Sequence, residues 1–211
     1  MESILDFYKN SYVAIKKYLI KERNVTAFFR WLEADTDFLR APASTRFHLA
    51  TRNGLLIHSI NVYYNLRKLA EDNNLEYSLD TIMLCGVFHD LCKVNTYKEG
   101  FRWQKDDNQQ WQKVPTFEVD DVFPMGHGDK SVFLLMQHGI SLSDEEAIAI
   151  RQHMGPWDTT QQQMRQVGDT FHKYPLAFWL HIADMVSNFV TENEQTNLKE
   201  NIKAFEKYLE G

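Results

Sequence analysis

Apolar positions recur at helical spacing along most of the chain. Ile4, Phe7, Tyr8, Val13, Ile15 and Leu19 mark a helix over residues 3–20, and Phe28, Phe29, Leu32 and Phe38 mark a second over 24–39. Pro42 and Ser44 break the pattern and predict a loop over 40–53. A longer helix is expected from about Leu55 to Asp72, with Ile57, Ile60, Tyr64, Leu66 and Leu69 on or near its apolar face and Asn73-Asn74 ending it. The next begins after Ser78 or Asp80, both capping types, and runs to Asp90. Further helices are expected at about 127–138, 143–154, 175–192 and 196–209. Ser143 followed by Glu146 has the form of a capping box, and Pro175 suits a helix start.

Residues 94–120 follow a different rule. Tyr97, Phe101, Trp103, Trp111, Val114, Phe117 and Val119 flank a polar stretch at 105–109, which predicts a β-hairpin. The fold class expected is therefore all-α, a helical bundle with a small inserted hairpin at about 94–120. No repeat, low-complexity tract or linker divides the chain, so residues 1–211 read as one domain with N-terminal helices over 1–40 and a C-terminal helix over 191–211.

Composition narrows the function classes. At 211 residues, 44% hydrophobic and 25% charged, the chain suits one globular domain with a sizeable core. Its 23 basic and 29 acidic side chains give a net charge of -6, without the broad positive field that coats duplex nucleic acid. Cys85 and Cys92 are too few for a disulfide framework and read as reduced thiols. The opening MESILDFYKN lacks the apolar core of a signal peptide, and apolar stretches such as Ile82 to Phe88 are far short of a membrane span. A cytoplasmic location is expected.

The candidate chemistry lies in the histidines. In Val87-Phe88-His89-Asp90-Leu91-Cys92-Lys93 a His-Asp pair follows an apolar helical run. Adjacent residues on a helix point about 100° apart, so both reach one ion only near a helix end or across its face. Imidazole suits zinc, iron, manganese and nickel, and a carboxylate can bridge two ions. Taken alone, the pair reads equally well as a capping Asp beside a surface His. His58, with apolar residues before it, also reads as a hydrogen-bonded core imidazole. His127 stands between Gly126 and Gly128, which let backbone approach closely. His153 closes an apolar helix just before Gly155-Pro156, where the helix dipole also favours a cation. Asp184 is an acid inside an apolar helix, a costly placement unless it is paired or metal-bound. His181, three residues earlier, is a candidate supporting or spare ligand, while His48, His138 and His172 read as surface or loop residues.

The order of these residues resembles the HD superfamily of metal-dependent phosphohydrolases over about residues 42–190. Gly54-Leu55-Leu56-Ile57-His58 resembles its Gly-Leu-Leu-x-His block, and His89-Asp90-Leu91-Cys92-Lys93 its His-Asp-x-x-Lys block. The segment from Ala41 to His58 is similar to the catalytic half of certain bacterial 3′-to-5′ exoribonucleases, although residues 1–40 are too short for the OB-fold domain those carry.

The resemblance implies a metal-binding core over 42–190, with His58, His89, Asp90, His127, His153 and Asp184 as ligands to one or two divalent ions (Mn, Fe, Ni, Co, Zn or Mg). Asp90 would bridge, with His58, His89 and Asp184 on one side and His127 and His153 on the other. Asp90 and Lys93 are the implied catalytic pair, with Lys93, Arg46 and His48 as candidate phosphate contacts. The implied reaction is hydrolysis of a phosphomonoester or phosphodiester, the substrate a nucleotide or short single-stranded oligonucleotide. Relatives with the same ligand pattern include di-iron oxygenases, and a non-catalytic nucleotide sensor is a third class. Trp103 and Trp157 are candidates to stack on a base, with core packing as their default. The hairpin reads as a rim over the site or as a contact in a homo-oligomer.

Overall fold

A computed structural model of the chain describes residues 4–46, 49–158, 160 and 164–193. His48 and the helix expected at 196–209 lie outside the described residues. The described residues form eight α-helices and one hairpin. In chain order these are α1 (Ile4–Arg23), α2 (Thr26–Ala34), α3 (Gly54–Asp72), α4 (Leu79–Phe88), β1 (Tyr97–Lys105), β2 (Trp111–Val119), α5 (His127–Gln137), α6 (Asp144–Gln152), α7 (Met164–Lys173) and α8 (Pro175–Val186). Single 3-10 turns follow α4 at Leu91–Lys93 and α6 at Gly155–Asp158, and a π-helical turn follows α8 at Ser187–Thr191.

Helix α3 is the axis of the bundle. It packs against α1, α4 and α8, so residues on nearly all its faces are buried. Helix α4 is apolar all round because it too is enclosed. Its last residue, Phe88, sits in an aromatic cluster with Phe28 (ring centroids 5.0 Å), Phe38 (5.8 Å) and Phe29 (6.0 Å). Each fully buried aromatic contributes about 1.5–3 kcal/mol, so the end of α4 is firmly anchored just before His89.

Two glycines permit the close approaches that bring the helices together. A methyl group on Gly86 would lie 2.6 Å from the Tyr63 Cα, and one on Gly128 would lie 2.1 Å from the Arg151 carbonyl oxygen. The first lets α4 touch α3, and the second lets α5 touch α6.

The hairpin forms where expected, antiparallel, with register from Tyr97 opposite Val119 to Lys105 opposite Trp111. Asp106 shapes its turn by accepting hydrogen bonds from the backbone of Asn108 and Gln110, both at 2.9 Å. The hairpin leans on the loop before α3, where the Thr116 hydroxyl bonds the Thr45 carbonyl and Arg52 pairs with Glu99.

Two expectations require correction. Helix α2 stops at Ala34 and does not run to residue 39. Asp37 and Asn95 exchange backbone-to-side-chain hydrogen bonds at 3.0 and 2.6 Å, and these take groups a longer helix would need. Helix α7 was not expected. Met164, Val167 and Phe171 do stand at helical spacing, but they are few in an otherwise polar segment and only Val167 is buried. The Ser143–Glu146 capping box is present, and Pro175 opens α8.

Glu146 also ties together three helices. Its carboxylate accepts from Arg23 on α1 and, at 2.7 Å, from the Thr81 hydroxyl on α4, while Arg23 pairs with Asp80 at 2.7 Å. Burial by itself would raise the Glu146 carboxyl, but hydrogen bonds from Arg23, the Ser143 backbone and Thr81 outweigh it and hold the group below its ordinary 4.5. A depressed carboxyl contributes stability that is fully present above its unfolded pKa and is lost as pH falls through the folded one. Glu146→Ala is therefore expected to cost roughly 3 kcal/mol at neutral pH, and Glu146→Gln to flatten the acid limb of the stability profile. Denaturant unfolding across pH reads both. Gly128→Ala is expected to destabilise by about 1–3 kcal/mol through overpacking of α5 on α6, measured by the same unfolding curves at neutral pH.

Candidate metal centre

Helix α4 ends where the chemistry begins. His89 is its C-cap, and Asp90 leaves the helix at φ -101°, ψ 23° to start the 3-10 turn. The change of direction lets two consecutive side chains face one point, with His89 Nε2 3.5 Å from Asp90 Oδ2. The same tight turn brings Lys93 back, its Nζ 2.5 Å from Asp90 Oδ2.

Four other elements deliver side chains to this point. His58 from the first turns of α3 places Nε2 3.4 Å from Asp90 Oδ2, 3.2 Å from Asp184 Oδ1 and 3.2 Å from His89 Nε2. His127, the first residue of α5, puts Nε2 2.6 Å from Asp90 Oδ1. His153, the C-cap of α6, brings Nε2 to 3.4 Å from the same oxygen. Asp184 comes from the last turn of α8. His58, His89, Asp90, His153 and Asp184 are buried, and His127 is partly exposed. All six residues picked out in the sequence thus converge.

The rings share an orientation. His89 Nδ1 lies 2.8 Å from the Gly86 carbonyl, and His153 Nδ1 lies 2.6 Å from that of Ile150. His58 Nδ1 lies 3.0 Å from a carboxylate oxygen of Glu192. Each outer nitrogen therefore donates to an acceptor, so Nε2 is the inward nitrogen, and its lone pair is open to a cation once any proton on it is displaced. That is the tautomer a metal ligand needs. His153 Nε2 is buried and makes no hydrogen bond, an orphan atom that a cation would satisfy.

Among the described residues, ligand-competent groups form three overlapping sets, each within reach of an ion: His58, His89 and Asp184; His89, Asp90 and His153; and Asp90, Cys92 and His127. The donors are imidazole nitrogens and carboxylate oxygens, with Cys92 beside them, which fits a divalent first-row metal. Cys85 and Cys92 are both free and buried.

The electrostatics agree with that fit. Burial by itself disfavours the charged form of each group. Against it, the carboxylates of Glu192, Asp184 and Asp90 hold the His58 pKa well above the imidazole range. Burial also works against charge on Asp90, but Lys93, His89 and His127 keep its carboxyl well below the usual range. Asp184 behaves likewise beside His58 and His89. For His127 the Cys92 sulfur and Asp90 overcome desolvation and push the pKa to about 10. For His153 burial prevails, and its pKa falls. Protons held this way are what a divalent cation displaces on binding.

The cluster forms the floor of a cavity of about 530 Å³. His58, Asp90, Lys93, His127 and Asp184 line the floor, and Met154, Trp157, Met185 and Phe189 give it an apolar wall. His181 also lines it, with Nδ1 2.7 Å from the His153 carbonyl, so this ring supports the cluster. Arg46 lies elsewhere. It shares a second pocket with Phe101, Arg102, Thr116 and Glu118, because the loop that carries it is folded onto the hairpin. Trp103 is exposed on the hairpin and does not line the cavity. His138 stacks on Trp31 at 3.5 Å between centroids, a packing role.

Glu192 escaped sequence reasoning, as did Asn188, whose Nδ2 donates to Asp184 Oδ1 at 3.0 Å. A signal for Asn188 existed in its spacing, one helical turn beyond Asp184.

Among the described residues no helix is long and apolar enough to cross a membrane. No curated protein and no solved structure matches the chain. The family model described as HD domain matches residues 55–188, a span that contains all six convergent residues. With more than half its length matched and a buried His/Asp cluster at the matched positions, the chain belongs to the HD domain family, whose members are mostly metal-dependent phosphohydrolases.

Proposed function

We propose that this chain hydrolyses a phosphomonoester or phosphodiester, with a nucleotide or short single-stranded oligonucleotide as substrate. The observation that carries this reading is the inward set of imidazole nitrogens around Asp90, with Lys93 beside it, on the floor of an open cavity. His58, His89 and Asp184 would hold one divalent cation, His127 and His153 a second, and Asp90 would contact both. Bound there, divalent cations supply Lewis acidity and lower the pKa of a water.

The chain's own residues do the rest. Lys93 is held at the rim of the cluster by Asp90, which keeps its pKa raised even though burial alone would lower it. Its ammonium is a point charge within reach of a phosphate oxygen entering the cavity. The Gly86 and Ile150 carbonyls fix the His89 and His153 rings so that neither must reorient. The apolar wall of Met154, Trp157, Met185 and Phe189 suits a flat, weakly polar group such as a nucleobase, and base-on-aromatic stacking contributes about 1–3 kcal/mol per base. Net charge of -6 supports a small or single-stranded substrate over duplex nucleic acid.

The deciding experiment screens p-nitrophenyl phosphate esters, nucleoside mono- and triphosphates, cyclic nucleotides and short RNA against Mn, Fe, Ni, Co, Zn and Mg. Turnover of at least one phosphate ester is expected, abolished by chelation and restored by metal; inactivity with every metal refutes the reading. Asp90→Asn is expected to lose both metal equivalents, and His58→Ala and His127→Ala one each, with activity down by more than about a hundredfold. Elemental analysis reads the metal, and unchanged content in all three variants would sink the assignment. Lys93→Met is expected to keep its metal and lose about a hundredfold in kcat/KM, measured by steady-state kinetics on whichever ester is turned over.

A further inference from the structure

The chain continues past Asp184 to touch the cluster a second time. The π-helical turn at Ser187–Thr191 is closed by the Glu192 amide donating to the Ser187 carbonyl at 2.9 Å. A π turn inserts a residue into the helical repeat and changes which side chains face inward. It is pinned to α3 by Asn65, whose Nδ2 donates to Ser187 Oγ at 2.8 Å and to Thr191 Oγ1 at 3.1 Å.

The result is that two carboxylates on one stretch of chain grip opposite edges of one imidazole. Asp184 Oδ1 is 3.2 Å from His58 Nε2, and Glu192 lies 3.0 and 3.3 Å from His58 Nδ1 through its two oxygens. The Glu192 side chain is fully buried. Its carboxylate also accepts from Asn61 Nδ2 at 3.0 Å, and Asn61 Oδ1 accepts from the Tyr8 hydroxyl on α1 at 2.9 Å. A buried carboxylate is costly unless hydrogen bonds satisfy it, and here His58 and Asn61 on α3 do so, with Tyr8 on α1 holding Asn61 in place.

His58 differs in this from its neighbours. His89 and His153 use backbone carbonyls at Nδ1, which are neutral acceptors. A carboxylate is a stronger acceptor and makes the far nitrogen of the ring more basic.

We infer that Glu192 is a positioning residue of the metal centre: it keeps the proton on His58 Nδ1, aims Nε2 at the cation and strengthens it as a donor. The inference rests on the metal-binding reading above, and its test separates the two. Zinc affinity is measured by competition with a chromophoric chelator for the wild type, Glu192→Met, Glu192→Ala, Glu192→Gln and His58→Ala. Nitrogen-correlated NMR of the zinc-loaded proteins reads which ring nitrogen of His58 carries the proton and how fast that proton exchanges.

Glu192→Met and Glu192→Ala are expected to weaken zinc binding about 10- to 100-fold. Glu192→Gln, whose amide oxygen can still accept from Nδ1, is expected to lose less. The wild type should show a slowly exchanging Nδ1 proton on His58, and Glu192→Met should show that proton exchanging fast. Rescue by glutamine and loss of proton protection are changes that a purely structural role would not produce. If His58→Ala loses zinc while Glu192→Met and Glu192→Ala bind within about threefold of wild type, the inference is overturned and the metal reading stands. Zinc bound through His58 Nδ1 in the wild type overturns it without any variant. A wild type that binds no zinc removes the metal reading as well, an outcome told apart because the unaltered protein fails.

Discussion

The fold is organised around one buried carboxylate. Asp90 is 3% exposed, and burying an ionised carboxyl is among the most expensive things a small domain can do. The cost is offset by what surrounds it: Lys93 at one oxygen, His127 at the other, and His58, His89 and His153 within 3.5 Å. Remove Asp90 and five side chains lose their common partner. The sharp stop of α4, the 3-10 turn after it and the approach of α3, α5, α6 and α8 together bring opposite charge and hydrogen-bond donors to that group.

Such convergence needs rigid supports, and close packing lies within three residues of His89, His127 and His153. Phe88, immediately before His89, is locked among Phe28, Phe29 and Phe38. Gly86, whose carbonyl holds His89, sits against Tyr63 with no room for a methyl group. Gly128, next to His127, touches the Arg151 backbone two residues before His153. The Arg23–Glu146–Thr81 network fixes the far end of α6 to α1 and α4, so the helix that carries His153 cannot slide. Ligand geometry is thus inherited from contacts outside the site, in line with the precision that donor sets require.

This explains what could be read from the chain and what could not. The six convergent residues were legible because their types are costly where they stand: an acid in an apolar helix, imidazoles beside glycines or at the end of an apolar run. The capping box and the hairpin were legible because their rules are local. Glu192 was not, because a glutamate near a helix end is ordinary in sequence, and only the π turn directs it inward. Helix α7 was easily passed over because only Met164, Val167 and Phe171 mark its apolar face in a polar segment, and the end of α2 is decided by Asn95, sixty residues from Asp35 whose carbonyl it caps. The position of Arg46 depends on how its loop lies on the hairpin, which no local pattern encodes.

The charges around the cavity floor constrain how such a site can take a phosphate ester. Metal ligation requires neutral imidazoles. With those neutral, Asp90, Asp184 and Glu192 bring three negative charges to the cluster, and Lys93 offsets one of them. The remaining field, on a chain whose net charge is already -6, repels an anion. Protonating the imidazoles would restore attraction but would use the lone pairs that point inward. Divalent cations held by His58, His89, Asp90, His127, His153 and Asp184 would resolve the conflict, supplying positive charge to the floor without protons on the imidazoles. The buried acids that make the floor hostile to an anion on their own are the same groups that would hold the cations.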